Sequence, residues 1–271
     1  MNNEVEISDP LVRKMRLLDL DEVPSLFKIL SDVNHPVIVG FLNQHGYNLA
    51  QRNKRMFDNM LTFDYLLRDG IGMKIACRLN NLDAKANLNG SDLIPGLINY
   101  LVMENKQRYQ FFAMGTKSPW LESGAAELFQ GNNFCAIDGF RESSEYIDFL
   151  KENRQNNKIA VVVLAMGMPK QEEIAHAIRE SQKSPTVIIC GGAILDFKAK
   201  RFPRAPLWVQ KINMEWMYRL VKEPRRLFSR YVIGIPIFLK IAAGNARNAS
   251  YPLLKRNNNY SNLIVPPAAD D

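Results

Sequence analysis

Short apolar runs recur along the chain, and each gives way to a polar or glycine-containing stretch. β-Branched and aromatic residues fill these runs, which is typical of buried strands. The predicted strands cover residues 37–42, 63–67, 109–114, 134–137, 159–165 and 185–190. Between them, apolar residues recur at helical spacing. The alternation predicts an α/β fold with a Rossmann-like, mostly parallel sheet flanked by helices.

The predicted helices occupy the segments between these strands. They cover residues 23–30, 47–61, 73–79, 93–104, a stretch ending at 129, 143–153 and 169–181. The first 35 residues are otherwise irregular in pattern, and beyond Asp196 the chain turns basic and helical without another strand. The predicted domains are therefore an α/β core over 1–196, a basic helical C-terminal appendage over 197–256, and a flexible polar tail over 257–271.

Charge is distributed unevenly along the chain. The 271 residues carry a net charge of +7, yet 197–256 alone holds fourteen Lys and Arg against two Glu, or +12, which leaves −5 for the remainder. A basic section on a mildly acidic body indicates a local anionic partner. Nucleic acid, phospholipid headgroups and diphosphate substrates all fit, and a solvated basic face is the alternative.

Cysteine usage and the N-terminus indicate the compartment. The three cysteines form no close pair, which favours a reducing compartment and free thiols over disulfides or zinc. The first residues are polar and acidic, unlike a signal peptide. The apolar run 231–239 is far shorter than the roughly 20 residues that span a bilayer. We therefore expect a cytoplasmic protein that touches a membrane surface at most.

Ligands of open parallel sheets bind outside the carboxyl ends of the strands, which directs attention to five loops. They are Asn43-Gln44, Asp69-Gly70, Gly115 to Lys117, Gly167 to Glu172, and Gly191-Gly192. The chain has no GxGxxG and no GxxxxGK[ST], so the dinucleotide fingerprint and the P-loop are both absent.

Three of these loops carry candidate chemistry, each with a simpler alternative. Gly167 and the helix start behind it suit a phosphate, although a well-capped helix would look the same. Asp69 follows a strand directly and could take a proton from an attacking hydroxyl, but Asp-Gly is also a common turn. Asn43 could hold a sugar hydroxyl or form an Asx turn.

The basic C-terminal segment combines arginines with apolar residues. Its arginines, which could hold a diphosphate or lie on anionic headgroups, are Arg204, Arg219, Arg225, Arg226 and Arg230. Trp208, Ile212, Trp216 and Leu220 recur every four residues, and packing on the core is the favoured interpretation of that face. The apolar run 231–239 beside this charge is typical of interfacial binding.

Several motifs together resemble one known family. They are Met166 to Glu172 (GxPKQE), Gly191 to Phe197, Arg204-Ala205-Pro206, Glu215-Trp216, Glu223 to Arg226, Asp69 to Gly72 and Gly90 to Leu93. In this order, over residues 37 to 231, the chain is similar to the WecG/TagA/CpsF glycosyltransferases, glycosyltransferase family 26.

The resemblance implies an inverting enzyme that moves a sugar from a UDP-sugar donor to a polyprenyl-diphosphate-linked saccharide. Such enzymes work at the inner face of the bacterial plasma membrane in making exopolysaccharide, teichoic acid or common antigen. It implies that Asp69 is the general base. The implied donor-binding residues are Asn43, Gly115, Gly167, Lys170, Gln171, Glu172, Gly191, Gly192 and Asp196. The five C-terminal arginines would close over the site and engage the diphosphate.

Two departures from the family pattern bear on the sugar. Some members have an arginine at the position of Asn87, and a threonine is replaced here by Phe41. No DxD-like pair stands near a strand end, so we expect no metal and no cofactor. The expected partners are the two substrates and an anionic membrane surface but no nucleic acid, and homo-oligomerisation stays open. The competing hypotheses are a nucleotide-binding oxidoreductase, which the missing GxGxxG disfavours, and a non-catalytic basic adaptor for nucleotide or lipid.

Overall fold

A seven-stranded sheet forms the centre of the molecule. The computed structural model describes residues 7–202, 205–206, 209, 215–222 and 224–247. The strands are β1 (Met15–Arg16), β2 (Pro36–Leu42), β3 (Tyr65–Arg68), β4 (Tyr109–Gly115), β5 (Phe134–Ile137), β6 (Ile159–Ala165) and β7 (Thr186–Cys190). Their order is β1-β3-β2-β7-β6-β4-β5, and every pairing is parallel. The predicted α/β fold is confirmed.

Helices cover both faces of the sheet. Before β4 they are α1 (Pro10–Lys14), α2 (Val23–Leu30), α3 (Gln44–Ala50), α4 (Lys54–Leu61), α5 (Gly70–Leu79) and α6 (Gly90–Asn105). After β4 they are α7 (Trp120–Leu128), α8 (Ser143–Asn153), α9 (Lys170–Ser181), α10 (Ile194–Lys198), α11 (Glu215–Lys222), α12 (Pro224–Phe228) and α13 (Gly234–Arg247). A π-helical turn, Ser229–Ile233, joins α12 to α13.

Two apolar layers sandwich the sheet, because alternate residues of each strand point to opposite faces. On β6, Val162 and Leu164 belong to the layer shared with α1, α3, α4, α5, α8, α9 and α13. Val161 and Val163 belong to the other layer, which α2, α6, α7 and α10 cover. Burial on both faces explains why the strands are continuous apolar runs and do not alternate.

The predicted helix over 47–61 is wrong in one respect, because the structure has two helices there. α3 ends at Ala50, and Asn53 starts α4 by accepting a hydrogen bond from the Met56 N–H over 3.0 Å. The apolar positions lie on related faces of both helices, so periodicity alone does not reveal the break. A capping asparagine stops one helix and begins the next.

The irregular N-terminal stretch contains an additional helix and an edge strand. Asp9 is fully buried and accepts hydrogen bonds from the backbone N–H groups of Leu11 and Val12, which caps α1. The Tyr47 hydroxyl of α3 also donates to Asp9. β1 then adds to the sheet beside β3. α1 and β1 have only five and two residues, too few for apolar positions to recur at helical or strand spacing.

Helix α13 packs on the same apolar layer as α3. Phe238 is buried and meets the Tyr47 ring edge-on at 5.3 Å. Asn48 Nδ2 donates to the Gly234 carbonyl over 2.7 Å, and Asn245 Nδ2 donates to the Tyr47 hydroxyl over 2.8 Å. The predicted domain boundary at 196 stays a prediction, and the predicted tail 257–271 lies outside the described residues. None of the helices in the described part combines the length and apolarity needed to cross a bilayer.

Candidate active site

All five predicted loops border a cleft of about 430 Å³ at the carboxyl edge of the sheet. Since every strand is parallel, the loops that follow the strands share this edge. The predicted site residues that line the cleft are Asn43, Asp69, Gly167, Gln171, Gly191, Gly192, Asp196 and Arg230. Their functional roles stay predictions, but the structure brings them into one space.

Asp69 and Asn43 form a pair at one end of this cleft. They follow β3 and β2, which are neighbours in the sheet. Asn43 Oδ1 accepts a hydrogen bond from the Gly46 N–H over 3.0 Å and so caps α3, while its Nδ2 donates to Asp69 Oδ2 over 3.2 Å. Asp69 stands at the N-cap of α5 but makes no side-chain capping bond. Asn43 therefore orients a carboxylate that borders the cleft.

Hydrogen bonds of Arg68 and Asn87 stabilise the loop that carries Asp69. Arg68 is buried, and its guanidinium donates to the carbonyls of Ala84, Lys85 and Gly70 over 2.8 to 3.0 Å. Asn87 Oδ1 accepts from the Gly70 N–H over 2.7 Å. Asn87, which departs from the family pattern, thus contacts the residue that follows Asp69. Hydrogen bonds from Arg68 and to Asn87 therefore connect the segment before α6 with the start of α5.

Gln171 ties two of the cleft loops together. Its side chain is buried in the first turn of α9, and its Oε1 accepts from the Gly192 N–H over 2.9 Å. Its Nε2 donates to Glu172 Oε1 over 2.8 Å. The amide is thereby held in one orientation, and it joins the loops after β6 and β7 through a hydrogen bond.

Glu172 lies behind Gln171 and does not line the cleft. It is 1% exposed, and its Oε2 has no hydrogen-bond partner among the described residues. Burial raises the pKa of Glu172 to about 7. The carboxyl group orients the Gln171 amide from behind the cleft, and the predicted donor contact of Glu172 stays a prediction.

Replacing Glu172 with Gln should remove a pH dependence of stability. The folded-state pKa is raised from 4.5 to about 7, so stability contributed by the protonated carboxyl is complete below pH 4.5 and lost as the pH rises through 7. The loss amounts to about 3 kcal/mol at about 1.4 kcal/mol per unit. Urea unfolding between pH 5 and 8 measures it.

The neighbouring Glu173→Gln variant is the matched control, since its side chain is partly exposed. It should keep the pH dependence of the parent chain. An unfolding free energy of the Glu172→Gln variant that changes with pH as steeply as that of the parent would contradict the assignment to Glu172.

Asp196 belongs to a network at the other end of the cleft. Its Oδ1 accepts from Thr116 Oγ1 over 2.8 Å and from Arg201 Nη1 over 3.0 Å. The Arg201 guanidinium lies 4.1 Å from the centre of the Trp120 ring. Thr116 and Arg201 line the cleft beside Asp196. The predicted residue Asp196 is thus held by two side chains that the sequence analysis did not select.

Gly115 and Lys170, two predicted donor-binding residues, do not line the cleft. Gly115 has φ of +154°, and a Cβ there would lie 2.2 Å from the Ala165 carbonyl oxygen. Lys170 Nζ donates to the carbonyls of Gly139 and Arg141 over 3.0 and 2.7 Å. Both residues shape the backbone that borders the cleft, and their predicted contact with the donor stays a prediction.

Arg230 brings the C-terminal segment to the Asp69 end of the cleft. It lines the cleft together with His45 of α3. Burial, and secondly the charge of Arg230, lower the pKa of His45 to about 4, so this imidazole is neutral at neutral pH. Gln44 Nε2 donates to the Arg230 carbonyl over 3.5 Å. The π-helical turn therefore borders the same space as α3.

The other predicted arginines are placed differently. Arg204 lies outside the described residues, as do the side chains of Arg219 and Arg226 on α11 and α12. Arg225 is exposed and does not line the cleft. Of the predicted apolar face, Trp208 and Ile212 also lie outside, while the Trp216 ring packs at 5.7 Å from that of Tyr231. Among the described arginine side chains, Arg201 and Arg230 thus line the cleft, while Arg68 supports the Asp69 loop from behind.

Several residues that line the cleft were not among those expected from the sequence. Phe140 is 74% exposed in the loop after β5, and an aromatic residue in a polar loop after a strand is a signal that could have found it. Thr116 sat within a selected loop but had no distinguishing pattern. Arg201 had no usable signal, because its contact with Trp120 joins positions 81 apart in sequence.

Comparison with known proteins identifies relatives. The model of the family described as "Glycosyl transferase WecG/TagA/CpsF family" matches residues 11–251. An N-acetylglucosaminyldiphosphoundecaprenol N-acetyl-beta-D-mannosaminyltransferase of Bacillus subtilis (strain 168) is 28% identical over 193 residues, which cover 70% of this chain and 73% of the relative. The protein of the same name from Bacillus spizizenii is 27% identical, over 75% of this chain and 77% of the relative.

A third relative has a nucleotide-sugar donor in its name. A UDP-Gal:alpha-D-GlcNAc-diphosphoundecaprenol beta-1,4-galactosyltransferase of Shigella boydii is 22% identical over 227 residues. The match covers 81% of this chain and 91% of that protein. All three names contain a GlcNAc-diphosphoundecaprenol substrate; the two Bacillus proteins are named for transfer of N-acetylmannosamine and the Shigella protein for transfer of galactose.

Proposed function

The chain belongs to the WecG/TagA/CpsF family of glycosyltransferases, and we propose that it transfers a sugar from a UDP-sugar to a polyprenyl-diphosphate-linked saccharide with inversion. It is an enzyme of a family that builds cell-wall and other surface polysaccharides. The acceptor class is proposed from the relatives' names, which share GlcNAc-diphosphoundecaprenol. Nothing in the comparisons supports the alternative of a non-catalytic adaptor.

The cleft geometry favours one direction for the donor. Asp69 must lie near the reacting sugar, so the sugar belongs at the β2–β3 end. The diphosphate then lies over β6 and β7, where α9 begins and its N-terminal partial charge favours anions. The nucleoside is left at the β4–β5 end, beside Thr116, Gly139 and Phe140. The exposed Phe140 ring offers a face on which a base can stack.

The proposed reaction is a single displacement. The acceptor hydroxyl oxygen attacks the anomeric carbon on the face opposite the diphosphate, and its proton passes to the Asp69 carboxylate. The bond from the anomeric carbon to the diphosphate oxygen breaks, and UDP leaves with the electron pair. The helix start of α9 and the Arg230 guanidinium offset the charge that develops on the leaving group.

The observation that carries this proposal is the Asn43–Asp69 pair in a cleft bordered by all five strand-end loops. A screen of nucleotide sugars with a lipid-diphosphate-GlcNAc acceptor, read by mass spectrometry, tests it. We expect a product heavier by one sugar with a UDP-linked donor. Donor hydrolysis without acceptor transfer, or no turnover of any UDP-sugar, would contradict the proposal.

A membrane surface is the proposed location of the acceptor. Phe228, Val232, Ile233 and Leu239 are 40 to 53% exposed along α12, the π-helical turn and α13. Arg225 and Lys240 are exposed in the same segment. Apolar side chains next to cations suit an interface with anionic lipids. The lipid-linked substrate would then reach the cleft beside Arg230.

Replacing Phe228, Val232 and Ile233 together with Ser should reduce binding to vesicles of anionic phospholipid by about 100-fold or more, since each removes roughly 1 kcal/mol or more of apolar contact with lipid. Co-sedimentation with vesicles measures the partition coefficient. Met103→Ser is the control, because Met103 is 78% exposed on α6, on the opposite face of the sheet. Equal binding of the triple variant and the parent would rule out this surface.

A further inference from the structure

Arg201 is immobilised at the nucleoside end of the cleft. Its Nη1 donates to Asp196 Oδ1 over 3.0 Å and to Thr116 Oγ1 over 3.3 Å. Its guanidinium carbon lies 4.1 Å from the Trp120 ring centre and 5.1 Å from that of Phe202. Two hydrogen bonds and ring contacts define the plane of this side chain, although 32% of it is exposed.

The Nε–Nη2 edge of the Arg201 guanidinium is not used by the hydrogen bonds to Asp196 and Thr116. Arginine presents five N–H donors in a rigid planar fork, and the bonds to Asp196 and Thr116 use Nη1 alone. The Nε and Nη2 groups make no hydrogen bond to the described residues, and Arg201 lines the cleft. A fixed pair of donors therefore borders the space that the donor's nucleoside would occupy.

The ion pair between Arg201 and Asp196 determines which kind of ligand group the Nε and Nη2 donors favour. Asp196 compensates the charge of Arg201 at 3.0 Å, which weakens the attraction of Arg201 for a second anion. The direction of the remaining N–H bonds is unaffected. A neutral acceptor in the plane of the guanidinium is a better match than a phosphate, which the start of α9 already attracts.

We infer that Arg201 is a specificity-determining residue that donates to the C4 carbonyl oxygen of a uracil base. The inference rests on the proposed function, because that proposal places the nucleoside at this end of the cleft. Cytosine carries an amino donor where uracil has this carbonyl acceptor. A cytidine nucleotide would therefore set donor against donor, and this mismatch would weaken its binding.

Binding of UDP and CDP to the full chain, measured by calorimetry, tests the inference. In Arg201→Ala we expect the Kd of UDP to rise about 10- to 100-fold, the effect of losing a hydrogen bond from a charged donor, while the Kd of CDP changes less than about 3-fold. Arg201→Lys keeps the charge but lacks the planar fork, so it should lose most of the discrimination as well. Thermal unfolding of each variant reports the fold.

Lys117→Ala is the matched charge control. Lys117 Nζ lies 5.9 Å from the same Trp120 ring, but Lys117 is exposed and does not line the cleft. It should leave both Kd values unchanged. If Arg201→Ala does not fold, Arg201→Lys and Arg201→Gln decide the question.

Two results would overturn the inference alone: UDP and CDP affinities that fall by the same factor, or a UDP-to-CDP ratio that stays at the parent value in Arg201→Lys. The first result would mean that Arg201 binds the phosphates or holds Asp196 in place. The second would mean that Arg201 acts through its positive charge alone. A parent chain that binds neither nucleotide would instead overturn the proposed donor class and this inference with it.

Discussion

Replacing Asp69 with Asn is expected to lower kcat by about 10²- to 10⁴-fold, the contribution typical of a general base. An amide at this position keeps the shape of the side chain and still pairs with Asn43, which lies 3.2 Å away. It cannot take the proton of the attacking hydroxyl. Because the proposed nucleoside and diphosphate contacts lie elsewhere in the cleft, the Kd of UDP should stay within about 3-fold of the parent value.

Single-turnover kinetics with a donor and acceptor pair measure the chemical step directly. Asp58→Asn is the control, since Asp58 is half exposed and pairs with Lys54 on the surface of α4. It should leave kcat unchanged. A fully active Asp69→Asn enzyme would remove Asp69 as the base, and a large rise in the Kd of UDP would make it a binding residue.

Gly115→Ala is expected to cost about 4 kcal/mol or more of folding free energy, from overpacking and a strained backbone together. The new Cβ would lie 2.2 Å from the Ala165 carbonyl oxygen, and φ is +154°. β4 and β6 would have to separate at the rim of the cleft, where Thr116 N donates to the same oxygen over 3.2 Å. Urea unfolding measures the change, and the yield of folded protein should fall.

Gly244→Ala is the matched control for this substitution. Gly244 lies inside α13, and a Cβ there meets no atom within 4 Å. Alanine is the better helix former, so this variant should be about 0.5–1 kcal/mol more stable than the parent. Equal stability of the two variants would contradict the packing argument at Gly115.

Gly115 also illustrates a limit of sequence reasoning. The family resemblance implied that Gly115 binds the donor, and the residue that lies closest to it is Ala165 of the neighbouring strand. The tight contact is real, but its partner could not be named from a local pattern. Lys170 repeats the lesson, because its ammonium group donates to the Gly139 and Arg141 carbonyls of the loop after β5, which no local pattern indicates.

Glu172 and Arg201 also differ from what the sequence indicates: Glu172 was expected at the cleft and is buried behind it, and Arg201 was not expected there and lines it. The family resemblance implied a donor contact for Glu172, but its side chain is buried beneath Gln171 because α9 packs that face on the sheet. Arg201 was one of fourteen cations in a basic segment. Its position beside Asp196, Thr116 and Trp120 depends on three elements that meet only in the folded chain.

The sequence by itself determined the parallel α/β sheet, the edge where the cleft lies, and most residues at the strand ends. These features follow from local periodicity, and parallel strands necessarily bring their carboxyl ends together. The tertiary structure alone decided which of those side chains face the cleft, which brace it, and that α13 packs against α3. Such assignments depend on contacts between residues far apart in sequence, and no local pattern records them.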